Sequence, residues 1–536
     1  MIAKRINPTW RVVLALVALI LVMTGQMLVA TAQDDKPQIV IAHNLDPDHI
    51  ELHHFRNIGG YIMTANLYEP MITQELVADE NGRLVGQRTF EGAGAEGYEV
   101  SEDGTEFIFH LREDAKFADG TPVTAHDYYY TIDRSLNGTG YIGLLLPLIA
   151  LESIDQVEVI DDYTIKLTTN QPAALTETIF AFQVYGAMSQ ATAEEHATEA
   201  DPWADDWHFN NANPSGAYVV SKWEPGVELI FEPNPNYWRG EDFYQNSSVV
   251  YRVVGDASTR EQLIRSGDVD IAFQLPFSSL PDMDADPNLT VHSIPNTRIW
   301  YLGMNVNAAP LDDARVRQAI SMAIPYDAII ENLIYGYGSQ PTSPLPAGME
   351  GHTDEFWTYG DASMDDAMAL LADAGYPDGF DIELAINQSE QTVVDTATWI
   401  QAGLSEIGIN LTINAVPAGE YIGLLNSHEL PLFIHEWYSW GNDPFYQLTF
   451  LLKCGQFTNY ANYCNEEIDD IIAQGVFSRD ADERAELARR AQEIIVTEAP
   501  WAYLFSPDQI IVTRSNVSGI TVYDDQMVRF AYLTKE

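Results

Sequence analysis

Residues 98–134 read YEVSEDGTEFIFHLREDAKFADGTPVTAHDYYYTIDR. Phe107, Phe109 and Leu111 recur at every second position, the spacing of a strand with one buried face. Asp119-Gly120 supplies a turn and Pro122 stiffens the chain beyond it. Thr124 then caps a helix carrying Asp127 to Arg134. The stretch holds no nucleophile with its base, no cluster of metal ligands and no phosphate-cradling loop. It predicts framework, built as strand, turn, strand, turn and helix.

Working outward, the same block resembles a signature of the family 5 extracellular solute-binding proteins of ABC importers, the peptide- and nickel-binding group. That pattern runs W-x-V-S-x-D-G-x-x-x-x-F-x-L-R-x-x-x-K-F-x-D-G-x-P-V-T-A-x-D, with Tyr98 standing here in place of the tryptophan. Further segments are similar to the family's: NPSGAY at 213–218, WEPG at 223–226, NPNYW at 234–238, SGDVD at 266–270, MNVN at 304–307, PLDDARVRQA at 310–319 and AMALLADAGY at 367–376. The resemblance covers nearly everything after the first forty residues. It implies an α/β, two-lobed periplasmic-binding-protein-like fold (a Venus flytrap of type II) with an extra subdomain in the first lobe.

Composition agrees with a large globular protein. At 536 residues the chain exceeds one comfortable core, so two or more lobes are expected. Seventy-nine acids against 27 bases give a formal charge of −52. Such a field repels nucleic acid and anionic membranes, so no nucleic-acid partner is expected. The acids are scattered, which reads as an adaptation for solubility, salt included.

Residues 1–32 have the anatomy of a secretory signal: Lys4, Arg5 and Arg11, an apolar run at 12–23, and Ala30-Thr31-Ala32 as a cleavage site. An uncleaved anchor is the competing reading, because residues 12–32 are long enough to span a bilayer. No cysteine follows the apolar run, so a lipoprotein is not expected. The expected localisation is periplasmic or on the outer face of the cell membrane. Export in turn bears on Cys454 and Cys464, the only cysteines. In an oxidising compartment a loop of that length is readily closed, two buried thiols being the alternative. The segment also resembles one that carries a disulfide in dipeptide-binding relatives.

The expected division is a first lobe at 33–290 including the subdomain, a second lobe at 291–504, and a return segment of the first lobe at 505–536. A first strand is predicted at 38–42 and a loop over 43–54. Helices are predicted at 314–323, 364–374, 392–407 and 480–496, with Gly375 and Gly408 as C-caps. A strand at 410–416 follows directly. Residues 276–296, polar and turn-rich, are read as leading into a crossover, with the return crossing at 499–508.

Candidate sites follow from the residue types. GAGAEG at 92–97 fits a glycine-rich fingerprint, but a strand follows it where a phosphate site needs a helix N-terminus. DMDADPN at 282–288 opens like a calcium loop yet has proline for the turn glycine. His43, His49, His53 and His54 crowd one loop, and imidazole is a common metal ligand; a hydrogen-bonded polar loop is the plainer reading. The resemblance implies His53 and His54 as cleft residues, and Tyr141 as lying in a ligand-facing region. HEWYSWGNDP at 435–444 is the expected recognition loop. Trp437, Tyr438 and Trp440 offer flat faces for stacking, and Asp443 offers a charge. In relatives a tryptophan matching Trp437 touches the ligand, and peptide binders carry an aspartate where this chain has Trp440. Arg298 offers a planar fork for a ligand carboxylate.

The reading implied is a monomeric receptor that closes on a peptide or related solute and delivers it to the transmembrane subunits of an ABC permease. No cofactor, no metal and no catalysis are expected. Oligosaccharide or nickel are the alternative ligands, and a secreted hydrolase is the contrasting class. Sequencing of exported material is expected to begin at Gln33; recovery of Met1 in the membrane fraction would establish the anchor instead.

Overall fold

The computed structural model describes residues 36–54 and 57–536; the leader at 1–32 lies outside the described residues. The framework block folds as its pattern requires. Phe107, Phe109 and Leu111 are buried along strand Glu106–Leu111, while the alternate positions face outward. That strand lies inside a four-stranded antiparallel sheet, ordered Ala95–Val100, Glu106–Leu111, Thr164–Thr168 and Val157–Asp161. Helix Ala125–Asn137 packs beside it. The Thr124 N–H and hydroxyl donate to the Asp127 carboxylate at 2.8 and 2.9 Å, which fixes the helix start.

Two larger sheets carry the rest. One has seven strands in the order Leu289–Ile294, Gln509–Arg514, Ile271–Phe273, Gln38–His43, Ser248–Val253, Glu228–Pro233 and Tyr218–Glu224. The other has six, Gly338–Ser339, Trp501–Pro507, Ile299–Met304, Leu432–Trp437, Asp381–Asn387 and Asn410–Val416. The six-stranded sheet is buried on both faces. Ile299, Tyr301, Phe433 and Trp501 pack on one face, and Leu302, Leu432, Ile434 and Leu504 on the other. That double burial is the mark of an α/β layer with helices on each side.

Helices Ala314–Met322, Met364–Asp373, Gln391–Glu406 and Ala481–Glu498 fall where their periodicity predicts. Gly375 and Gly408, at φ of 101° and 85°, occupy the left-handed conformation that stops two of them. The chain passes between the large sheets twice, once at residues 295–298 and once at Asp508. Residues 276–296, read as polar and turn-rich ahead of a crossover, include a strand. Leu289–Ile294 is a six-residue strand on the edge of the seven-stranded sheet, paired with Gln509–Arg514.

Cys454 and Cys464 are bridged, with Cα atoms 4.6 Å apart. No helix among the described residues is long and apolar enough to cross a membrane.

Five histidines are held neutral by burial. His43 and His53 are lowered from 6.5 to about 3, and His208, His292 and His435 to about 4. Unfolded histidines take up protons below 6.5 while these do not, so the unfolded state binds more protons and stability falls as the pH is lowered. Asp524, raised to about 6 by burial, acts in the opposite sense. Glu69, Asp127 and Glu390 are also raised by burial and act with Asp524. The five histidines set the expectation that thermal unfolding midpoints drop from about pH 6.5 to 5, above the range where most carboxylates titrate.

Candidate functional site

Between the two large sheets lies a cavity of about 880 Å³, within the range of ordinary ligand pockets. The seven-stranded side contributes Asn44, Tyr251 and Phe273, and the six-stranded side Trp300, Glu436 and Tyr438. Residues 389–392, at the start of helix Gln391–Glu406, also face it, as do Asn296, Arg298, Pro507 and Asp508 from the two crossings. The cavity is therefore assembled from both halves of the molecule and from the segments that join them.

Strand alternation decides which side chains reach it. Strands Ile299–Met304 and Leu432–Trp437 pair with Trp300 opposite Glu436 and Ile299 opposite Trp437. Arg298, Trp300, Glu436 and Tyr438 thus share one face, the face that turns toward the cavity. Ile299 and Trp437 share the other, and it is packed. Trp437, expected in the recognition loop, is placed away from the cavity. Its ring lies 5.9 Å from Phe450 and packs between two apolar cores, outside the cavity lining. Its indole N–H is buried without an acceptor among the described residues.

Tyr438 and Trp440 do line the cavity. Trp440 stands 4.9 Å from the Tyr61 ring and meets Phe182 edge-on at 6.3 Å. Burial raises the Tyr438 phenol, while Trp440 and the Arg298 charge pull it back. The Arg298 guanidinium lies 5.4 Å from the Tyr438 ring and donates to the Glu436 carboxylate at 3.0 Å. Glu390 also faces the cavity, with Asn387 Nδ2 donating to one carboxylate oxygen at 2.8 Å. Its pKa is raised, by burial first and by the like charge of Glu436 second. Tyr141 lines the cavity from the turn that opens segment Ile142–Ile149.

Three expected site residues lie elsewhere. Asp443 caps helix Pro444–Leu452, accepting from the N–H groups of Phe445 and Tyr446 at 2.8 and 3.1 Å. Its other oxygen pairs with buried Arg484, so the carboxylate is committed to the fold. The signal was present, since Asp-Pro ahead of an apolar run is the pattern of an N-cap followed by N1 proline. His53 is buried: Nε2 lies 3.1 Å from the Val184 carbonyl and Nδ1 3.1 Å from Arg134. His54 is bound to Glu51 and Thr139, each at 2.8 Å. Both belong to a charged knot in which Arg134 bridges Glu51 and Asp205. Burial, then Arg134, keep His53 neutral. The loop's other histidines go separate ways, His49 onto Phe209 and His43 between Tyr251 and Phe273.

Sequence reasoning passed over Trp300, Phe505, Glu390, Glu436 and residues 526–528 of the C-terminal segment, all of which line the cavity. Trp300 and Glu436 were legible as strand neighbours of Arg298 and Tyr438 in period. The C-terminal residues carried no local signal, because only the return crossing brings them here.

Two α/β lobes joined by two crossings, with a cavity between them lined from both sides, define a solute receptor of the periplasmic-binding type. The family model for bacterial extracellular solute-binding proteins, family 5 Middle, matches residues 89–459, and the chain belongs to that family. It is 26% identical over 505 residues to the probable D,D-dipeptide-binding periplasmic protein DdpA of Escherichia coli K12, covering 94% of each chain. It is also 26% identical over 441 residues to the Escherichia coli K12 glutathione-binding protein GsiB, covering 80% of this chain and 83% of that one. The fold matches that of DppA from Helicobacter pylori, solved with the peptide STSA. The TM-score there is 0.80 at 22% identity, over 93% of this chain and 98% of that one. A dipeptide-binding protein from Pseudoalteromonas sp. SM9913, solved with Met-Leu, matches with a TM-score of 0.79 at 21% identity, over 93% and 100%.

The corrected placements make a prediction. Asp443→Asn keeps a cap but strands the Arg484 charge, and is expected to cost roughly 3 kcal/mol of stability. Trp437→Ala is expected to cost about as much by opening a cavity. Both should leave ligand affinity, measured well below the unfolding temperature, within a factor of two or so. A large loss of affinity with an unchanged melting point would return either residue to the site.

Proposed function

We propose that this protein captures short peptides in the cavity between its lobes and delivers them to the transmembrane subunits of an ABC permease. The observation that carries the reading is the cavity itself, walled by both lobes and by both crossings. Ligand contacts from two sides coexist only when the lobes are together, so binding shifts the hinge equilibrium toward closure. The peptide class rests on the relatives, whose names specify D,D-dipeptides and glutathione, and on the neighbours solved with STSA and Met-Leu. We place the exchange of lobes at residues 295–298 and at Asp508, and assign Tyr141, Arg298, Tyr438 and Trp440 as the contact set, joined by Trp300 and Tyr251. The protein acts by binding alone, as an exported monomer released from its leader without a lipid anchor.

Mass spectrometry of material released by denaturing the purified protein is expected to find peptides of a few residues. Tyr438→Ala and Trp440→Ala are each expected to weaken binding of a recovered peptide by about 1–3 kcal/mol while the fold persists. A glycan or a metal chelate in the released fraction would overturn the reading.

A further inference from the structure

The charges that line the cavity do not balance. Five charged side chains face it: Arg260, Arg298, Glu390, Glu436 and Asp508. Arg260 is spent on the fold, its guanidinium donating to the carbonyls of Phe273, Val254 and Gly255 at 2.6–2.9 Å and to that of Gln274. Asp508 accepts from the Ser293 hydroxyl at the crossing. The remaining three form one group on the second-lobe wall, where a single guanidinium serves two carboxylates. Arg298 pairs with Glu436 at 3.0 Å. The Glu390 carboxylate has Asn387 as its only hydrogen-bond donor among the described residues. A half-buried like-charge pair with one counter-charge leaves negative charge that closure would desolvate further, and such charge is costly unless something positive arrives.

Beside these carboxylates the wall is aromatic. Trp300 stands directly opposite Glu436 in the strand pairing, and its ring stacks on Phe505 at 5.8 Å, 20° from parallel. Both rings line the cavity. Carboxylates next to flat π faces suit the head and stem of an alkylammonium or guanidinium group, which gains from ion pairing and from the ring quadrupole together.

We propose that Glu390 and Glu436 are specificity-determining residues that select peptides bearing a cationic side chain, seated against the Trp300–Phe505 pair. The proposal rests on the peptide reading and deepens it. It also accounts for a recognition loop that carries Trp440 in place of an acid: the cavity's acidic function sits one strand residue before Trp437 and at the start of helix Gln391–Glu406.

The test compares two probes that differ only in the side-chain ammonium, the tripeptides Ala-Lys-Ala and Ala-norleucine-Ala, by titration calorimetry on the full exported chain. The lysine peptide is expected to bind at least tenfold tighter. That preference should fall to less than threefold in Glu390→Gln/Glu436→Gln, with partial losses in each single variant, while the norleucine peptide keeps its affinity. Equal binding of the two peptides to the unaltered protein, which needs no variant to fold, overturns the proposal and leaves the peptide reading standing. Survival of the preference in a folded double variant overturns it equally. Binding of neither peptide, with a non-peptide ligand recovered on denaturation, overturns both.

Discussion

The second lobe hangs from the first by an antiparallel ribbon that has been interrupted. Strands Leu289–Ile294 and Gln509–Arg514 are neighbours in the seven-stranded sheet, with Ile294 opposite Gln509. Their continuations, Ile299–Met304 and Trp501–Pro507, are neighbours in the six-stranded sheet, with Trp300 opposite Phe505. Between those pairs the ladder stops. Pro295 and Pro507 flank the gap, and neither can donate a ladder hydrogen bond. Side chains bridge it instead: Ser506 to the Arg298 carbonyl at 2.5 Å, Gln526 to Thr297 at 3.0 Å, and Thr297 to the Ser439 carbonyl at 3.1 Å. A few side-chain bonds bend more readily than a sheet. The two crossings and the floor of the cavity share residues, Asn296 and Arg298 among them.

Away from the crossings, contacts between the lobes among the described residues include two arginines, an aromatic group and helix Glu466–Phe477 against segment Ile142–Ile149. Arg479 forks onto Glu177 at 2.6 and 3.1 Å and reaches the Ala173 carbonyl at 2.7 Å. Arg88 bonds Glu350 and the Asn442 carbonyl. Both are partly exposed, so each adds little to stability by itself. Trp440 inserts between Tyr61 and Phe182 of the first lobe, and Tyr446 and Phe450 join the first lobe's core. Most of the area shared there is apolar, with the ion pairs at the edges.

How much of this was legible depended on the range of the information needed. Strand Glu106–Leu111 and helix Ala125–Asn137 are local facts, and period and capping announce them. The aromatic run at 437–440 was legible as unusual, yet its faces were not. Trp437 and Tyr438 differ only in parity, and parity acquires a meaning once Phe450 is known to cover one face of the strand. His53 needed still more. Its partners Arg134 and Val184 lie 81 and 131 residues away, so nothing near the histidine distinguishes a ligand from a core hydrogen bond. Asp443 is the opposite case. Its Asp-Pro signature was local and complete, and a role in recognition was assigned over a cap the sequence already spelled out.

The scarcity of bases ties the acidic composition to the cavity. With 27 bases against 79 acids, an arginine placed in the interior is withdrawn from a short supply. Arg134, Arg260, Arg317, Arg484 and Arg529 are nonetheless buried, and each is bound to carbonyls or carboxylates of the fold. They gather backbone carbonyls: Arg317 those of Leu311, Glu498 and Ala499, and Arg260 those of Phe273 and Gln274 at the end of strand Ile271–Phe273. Arginine suits this work because its fork engages several acceptors in one plane while retaining its charge. Once the interior has taken them, little positive charge is left to line an opening between lobes. Among the described residues Arg298 alone faces the cavity with part of its guanidinium uncommitted, and it faces it beside two glutamates. The composition that keeps the surface soluble thus also sets the sign of the space between the lobes.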